Sequence, residues 1–265
     1  MKIGFIGLGN MAKAIIEGLL QQDAVNPADI YVHSAHVTNY QPYATAKRLQ
    51  ACASNLQVVQ NADVIILAVQ PQQKETVLAP LKSELINKKI PLFSLLSGVT
   101  IADLENIIGL AVPIIRVMPN LNVKIGQGMT ALATNTAGEP TANAIATDLF
   151  GKIGTVMPLP EADFSTFVAL AGSAPAFAFL FIDALAHAGV KYGLTKKQAA
   201  EIVSQMLIGS AELVRQSGDA PWNLIDEVAS PGGSTIAGVL AMQAAGFETA
   251  VTKAVDATIT KDLEN

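Results

Sequence analysis

The segment Ile3-Gly4-Phe5-Ile6-Gly7-Leu8-Gly9-Asn10-Met11-Ala12 constrains this chain more than any other stretch. An apolar run of strand character ends at Gly7, a second glycine follows at Gly9, and Ala12 opens a helical pattern. That is the G-x-G-x-x-G/A spacing of a strand, a tight turn and a helix. Gly7 permits the turn, Gly9 lets a pyrophosphate approach the backbone, and Ala12 lets the helix pack close to the sheet. Free N–H groups at the positive end of the helix then meet the anion. The spacing predicts the first βα unit of a doubly wound sheet that binds a dinucleotide.

The rest of the first half extends this pattern. Strands are expected at 2–6, 30–33, 57–59, 64–69, 92–96, 114–117, 129–133 and 155–157, with helices near 11–21, 42–53, 72–81, 101–107 and 140–150. Such alternation reads as a parallel sheet with crossover helices. Thr100-Ile-Ala-Asp103 has the hydroxyl and the acid of a capped helix start. After Pro158-Leu-Pro160 strand signals stop and alanine becomes frequent. Helices are expected at 161–171, 174–189, 195–216, 221–229, 235–245 and 247–262, with Gly189, Gly218 and Gly246 as stops. We therefore expect an α/β Rossmann-type domain over 1–160 and an all-helical domain over 161–265. A chain of 265 residues is long enough for two domains. The helical half is too poor in charge to hide every helix face alone, so it should complete its core against another subunit.

Composition narrows the function. Half of the residues are hydrophobic (51%) and only 15% are charged, which excludes a disordered chain. Net charge is −5, and basic runs stop at pairs such as Lys47-Arg48, so neither nucleic acid nor an anionic membrane is an expected partner. One cysteine, Cys52, excludes a disulfide framework, and His33, His36 and His187 show no metal-ligand spacing, so no metal is expected. His33 and His36 read as loop surface. The uncharged stretch 164–182 approaches the roughly 20 residues of a membrane span. Its serines, glycine and Pro175 fit two buried helices joined near Gly172 better. With no export signal at Met1-Lys2-Ile3, a cytoplasmic protein is expected.

Further motifs outline a site. The second strand ends Tyr31-Val-His-Ser34-Ala-His36 without the acid that holds a ribose 2′-hydroxyl in NAD sites, and Ser34 can donate to a 2′-phosphate, which leans toward NADP. Ala68-Val69-Gln70-Pro71, Ser97-Gly-Val-Thr100 and Arg116-Val-Met-Pro-Asn120 each leave a strand at the expected crevice. Asn120 is placed to bond a nicotinamide amide. Ser230-Pro231-Gly232-Gly233-Ser234-Thr235 opens a late helix and can receive a carboxylate; read alone, it is also an ordinary cap and turn. No Lys or His stands near Gly172–Ile182 to protonate a ketone. A protonated imine needs no strong acid.

In their order, Gly7-Leu-Gly9-Asn-Met11, Leu67-Ala-Val-Gln-Pro71, Ser97-Gly-Val-Thr-Ile101, Arg116-Val-Met-Pro-Asn120, Gly126-Gln-Gly-Met-Thr130, Gly172-Ser-Ala-Pro-Ala176 and Ser230-Pro-Gly-Gly-Ser-Thr235 resemble the pyrroline-5-carboxylate reductases over nearly the whole chain. The resemblance implies NADPH-dependent reduction of 1-pyrroline-5-carboxylate to proline, with NADH as an alternative donor. It also implies an intertwined homodimer, and dimers that often assemble into a decamer. Leu8, Asn10 and Met11 would hold the pyrophosphate, Ser34 and Asn55 would lie near the adenosine phosphate, and Ala68–Pro71 with Ser97 would line the groove. Amides from Ser230 to Thr235 would take the substrate carboxylate, and the Thr235 hydroxyl would bond the ring nitrogen as the catalytic contact. Glu161 would lie near the substrate.

The chain departs from the family pattern at Gln70, commonly Lys, at Phe177, commonly Tyr, and at Asn120-Leu-Asn122, commonly Asn-Thr-Pro. Two rivals remain. A hydroxyacid dehydrogenase would need a lysine after the Gly172 turn, and none precedes Lys191. A non-catalytic NADP sensor would need no loop like Ser230–Thr235.

Overall fold

The computed structural model describes residues 1–264. The chain divides into two units, Met1–Ser173 together with the segment from Ile259 onward, and Ala174–Thr258. The first unit runs β1 (Ile3–Ile6), α1 (Asn10–Gln21), β2 (Ile30–His33), α2 (Val37–Lys47), β3 (Gln50–Ala51), α3 (Asn55–Asn61), β4 (Val64–Leu67). It continues through α4 (Lys74–Leu78), α5 (Lys82–Lys88), β5 (Leu92–Ser94), α6 (Ile101–Ile108), β6 (Ile114–Pro119) and β7 (Gly128–Thr134). α7 (Thr141–Gly151), β8 (Gly154–Pro158) and the single-turn α8 (Phe164–Phe167) close it, followed by a π-helical turn over Val168–Gly172.

The strands order as β3-β2-β1-β4-β5-β6-β7-β8. The order reverses between β1 and β4, which in open α/β sheets opens a crevice outside the carboxyl ends of the strands. Side chains of β1 and β4 alternate between two cores, as strand geometry requires. Ile3, Phe5, Val64 and Ile66 pack with Ile15, Ile16 and Phe150 of α1 and α7. Ile6, Ile65 and Leu67 face Val58, Leu78, Leu85 and Leu104 of the helices α3 to α6.

The sheet departs from the expected one in three places. β6 and β7 pair antiparallel, with Arg116 opposite Ala133. Residues 57–59 are helical, because the Ser54 side chain accepts the Gln57 N–H and caps α3. The helix expected over 42–53 spans Val37–Lys47 with Pro42 inside it, and Arg48 turns left-handed (φ 60°) to release β3 as an edge strand.

The expected cap at Thr100 is formed. Its hydroxyl accepts the Asp103 N–H at 3.1 Å, and the Asp103 carboxylate accepts the Thr100 N–H at 2.9 Å. That backbone donor, then the Thr100 hydroxyl, holds the Asp103 carboxyl below the usual carboxylate range. The depressed value means that the carboxylate stabilises the fold above its unfolded pKa, near 3.9, and that this is lost as pH falls through the folded value. Weakening these hydrogen bonds, which solvent screens in part, Asp103→Asn should cost about 0.5–1 kcal/mol at pH 7. Urea titrations should show the two proteins converging as pH falls below the usual carboxylate range, and a gap that stays constant down through that range would refute the coupling.

The second unit comprises α9 (Ala174–Lys191), α10 (Lys196–Ser217), α11 (Pro221–Val228), α12 (Ser234–Ala244) and α13 (Phe247–Leu263), whose last residues belong to the first unit. Thr195 and Gln198 cap α10 reciprocally, and Gly218 (φ 73°) ends it. Gly189, expected as a stop, lies inside α9. A Cβ there would press on Ala199 of α10, so its role is close packing, and Gly193 (φ 98°) makes the turn instead.

The expectation of two buried helices over 164–182 holds for the first, where Phe164, Phe167 and Ala169 are buried, and needs correction for the second. Only Ala186 of α9 is buried within one chain, whereas Phe179 is 55% and Leu180 70% exposed. The helical stretch Glu161–Lys191 is long and apolar enough to cross a membrane by length and composition. Ile208 (64%) and Leu240 (56%) carry the uncovered apolar surface onto α10 and α12.

Candidate active site

Turn geometry at the end of β1 follows from its glycines. Gly7 adopts φ +92°, and its N–H donates to the His33 carbonyl at 2.9 Å. A Cβ on Gly7 would be driven into the Ala68 carbonyl at the end of β4. Gly9, the residue before α1, has an ordinary extended conformation, and nothing stands within 4 Å of where its Cβ would be. The first turn of α1 carries no acid, and Ala12 is fully buried against the sheet. An open space over unpaired N–H groups at a helix start is an anion receptor.

A cleft of about 380 Å³ lies over this turn. Of the expected cofactor residues it gathers Gly7, Leu8, Gly9, Ser34, Asn55, Ala68, Val69 and Gln70. Asn10, Met11, Pro71, Ser97 and Asn120 lie outside its walls. His33, His36, Asn39, Gln73 and Val77 also line it. His33, expected as loop surface, is instead the half-buried last residue of β2, whereas His36 is exposed in the β2–α2 connection as expected, at the edge of the crevice. Among the described residues, no Asp, Glu, Lys or Arg lines the cleft. A ribose 2′-phosphate therefore meets no carboxylate there, and the residues present fit a dinucleotide.

Two expected contacts are taken up by the fold. Asn120 is buried; its side-chain carbonyl accepts the Met129 N–H at 3.1 Å, and its amide donates to the Ala171 carbonyl at 3.0 Å. It ties the β6–β7 hairpin to the π-turn, in place of the nicotinamide contact expected of it. Glu161 accepts from Arg116 Nη1 and from the Ile101 N–H, both at 3.0 Å. Arg116 also lies 4.6 Å from the Phe164 ring centroid. Glu161 is thus engaged as the counter-ion of a buried arginine. Ser97 donates to Asp262 at 3.0 Å. Burial pushes the Cys52 thiol up, which keeps it from serving as a thiolate nucleophile.

The second motif forms a tight turn in the helical unit. Gly232 takes φ +71°, and the Gly233 N–H closes a turn onto the Ser230 carbonyl at 3.0 Å. A Cβ on Gly233 would collide with the Ser230 hydroxyl. The turn delivers the chain into α12 with no acid in its first turn and no side-chain cap. The amides of Ser234 and Thr235 are left for an external acceptor. Ser230, Pro231 and Thr235 are exposed. The Thr235 hydroxyl bonds to no described residue.

This sheet, this cleft and the helical unit define a dinucleotide-dependent oxidoreductase with a helical dimerisation domain. Residues 161–265 match the family model for pyrroline-5-carboxylate reductase dimerisation, and residues 2–92 that for NADP oxidoreductase, coenzyme F420-dependent. The pyrroline-5-carboxylate reductase of Escherichia coli is 36% identical over 96% of this chain and 94% of its own length. The zebrafish (Danio rerio) pyrroline-5-carboxylate reductase 3 is 37% identical over 97% of this chain and 88% of its own. The crystal structure of the Streptococcus pyogenes enzyme aligns with TM-score 0.89 and 38% identity, covering 100% and 99% of the two chains. That of the Plasmodium falciparum enzyme, solved with NADP bound, gives 0.89 and 30%, covering 100% and 97%. The chain belongs to the pyrroline-5-carboxylate reductase family.

Proposed function

We propose that this chain reduces 1-pyrroline-5-carboxylate to L-proline, the last step of proline biosynthesis, with NADPH as hydride donor and NADH as an alternative. The observation that carries this reading is the pair of receptors in one chain. One is a glycine-turn cleft without carboxylates; the other is a Gly-Gly turn at the start of α12 with free amides and a free hydroxyl. A sensor would have no use for the second.

The division of labour follows the sequence reading, with residues 1–160 binding nucleotide and 161–265 serving substrate and dimer. NADPH, when bound, supplies a hydride. The amides of Ser234 and Thr235 hold the substrate carboxylate, and the Thr235 hydroxyl fixes the ring nitrogen. Gly7–Met11 with Ser34 and Asn55 hold the phosphates. The substrate reacts as the protonated imine, so no strong acid is required of the protein, which accords with the lack of Lys or His near Gly172–Ile182. Steady-state assays with NADPH and NADH in parallel test this reading. Turnover of pyrroline-5-carboxylate with neither donor, by a protein that binds both, would favour the sensor.

The smallest stable unit is a homodimer, with dimers joining into a decamer. The uncovered faces of α9, α10 and α12 support this, since apolar patches of that extent mark an interface. Light scattering at micromolar concentration should return a dimer or a multiple of it; a monomer would refute the proposal. The same faces are proposed to meet protein rather than lipid. With a net charge of −5 no nucleic-acid partner is proposed, and the cytoplasm is the proposed compartment.

A further inference from the structure

The cleft has a polar end formed where β2 gives way to α2. Ser34 and His36 reach it from that connection, Asn39 from the first turn of α2, and Asn55 from the first turn of α3. None of these four side chains bonds to another described residue. His33, beside them, is different. Its Nδ1 lies 3.0 Å from the Cys52 carbonyl, which also accepts the Tyr40 hydroxyl at 2.9 Å, and its ring packs edge-on against Tyr40. Its Nδ1–H is spent on that carbonyl, so the ring is fixed in place as a wall of the cleft.

In dinucleotide folds the end of the second strand discriminates between ribose termini: a carboxylate selects a 2′-hydroxyl, a cation a 2′-phosphate. This chain has neither fixed charge among the residues that line the cleft. We propose that His36 is the specificity-determining residue for the 2′-phosphate, its imidazolium pairing with that phosphate, with Ser34 and Asn39 as neutral donors beside it. His36 is exposed at the start of α2, with no acid in the first turn to neutralise it. Among the described residues that line the cleft, His33 is the only other titratable group. The inference rests on the nucleotide reading above.

Equilibrium binding tests it without turnover, using NADPH, NADH, 2′,5′-ADP and 5′-AMP by calorimetry. Exchanging a charge-assisted for a neutral hydrogen bond, His36→Gln should weaken NADPH and 2′,5′-ADP by roughly three- to tenfold. NADH and 5′-AMP should stay within about twofold, since they lack the phosphate that His36 recognises. His36→Arg should strengthen the two phosphorylated ligands. His36→Asp should reverse the preference toward NADH, because a carboxylate repels the phosphate and accepts the 2′-hydroxyl. All three residues are acceptable at an exposed position before a helix, and circular dichroism checks folding. If the unmodified protein binds NADPH and NADH and no variant moves their ratio, the role of His36 is overturned while the nucleotide reading stands. If it binds neither, both fall.

Discussion

Gly9→Val is expected to lower NADPH affinity by about 10²–10⁴-fold and leave the protein folded. The magnitude follows from losing about two charge-assisted hydrogen bonds to phosphate, each worth about 1.5–3 kcal/mol, when a branched side chain occupies the space above the α1 amides. The fold should survive because nothing stands within 4 Å of the new Cβ and the Gly9 φ of −78° suits valine. Gly7→Val supplies the contrast. Its φ of +92° and the Ala68 carbonyl beneath it make that substitution a folding defect. Fluorescence titration with NADPH, alongside thermal melts, separates the two. Unchanged affinity in folded Gly9→Val would remove the glycine turn from the site.

Thr235→Ala should lower kcat/KM for pyrroline-5-carboxylate by about 10²–10⁴-fold, the range typical of losing a positioned hydrogen-bonding or proton-handling group. Affinity for NADPH should stay constant, because the residues assigned to the phosphates belong to the other unit. Stability should hardly change: the Thr235 hydroxyl has no partner among the described residues, and alanine is the better helix former. Thr235→Ser keeps the hydroxyl and should retain most activity. A Thr235→Ala enzyme as fast as the unmodified one would reduce this threonine to a helix-start residue.

Much of the architecture is legible in the sequence because it rests on local rules. The glycine turn, the Thr100–Asp103 cap and the Ala-rich helices after residue 160 each follow from conformational needs within a few residues. What escapes such reading is set elsewhere in the chain. Val58-Val59 looks like a strand until Ser54 is recognised as its cap. The alternation of 129–133 is the same whether the strand runs parallel or antiparallel to its neighbour. Asn120 ends a strand at the crevice, as a cofactor ligand would, yet its amide is satisfied by Met129 and Ala171, partners that only the folded chain brings near. His36, Asn39, Gln73 and Val77 join the cleft through crossover geometry, for which spacing along the chain carries no signal.

The short stretch after β8 sets how portable the nucleotide-binding part is. Phe164 and Phe167 pack on Met118 and Ala131, Glu161 answers the charge of Arg116, and the Ala171 carbonyl receives Asn120. A gene fragment ending at the Pro158-Leu-Pro160 punctuation would encode a sheet with that plug withdrawn: a greasy hollow beside an arginine stripped of its carboxylate. Anyone exchanging this module between homologues, or grafting it onto another helical partner, should keep the chain through Ser173 and also the segment from Ile259 onward, whose Asp262 accepts the Ser97 hydroxyl.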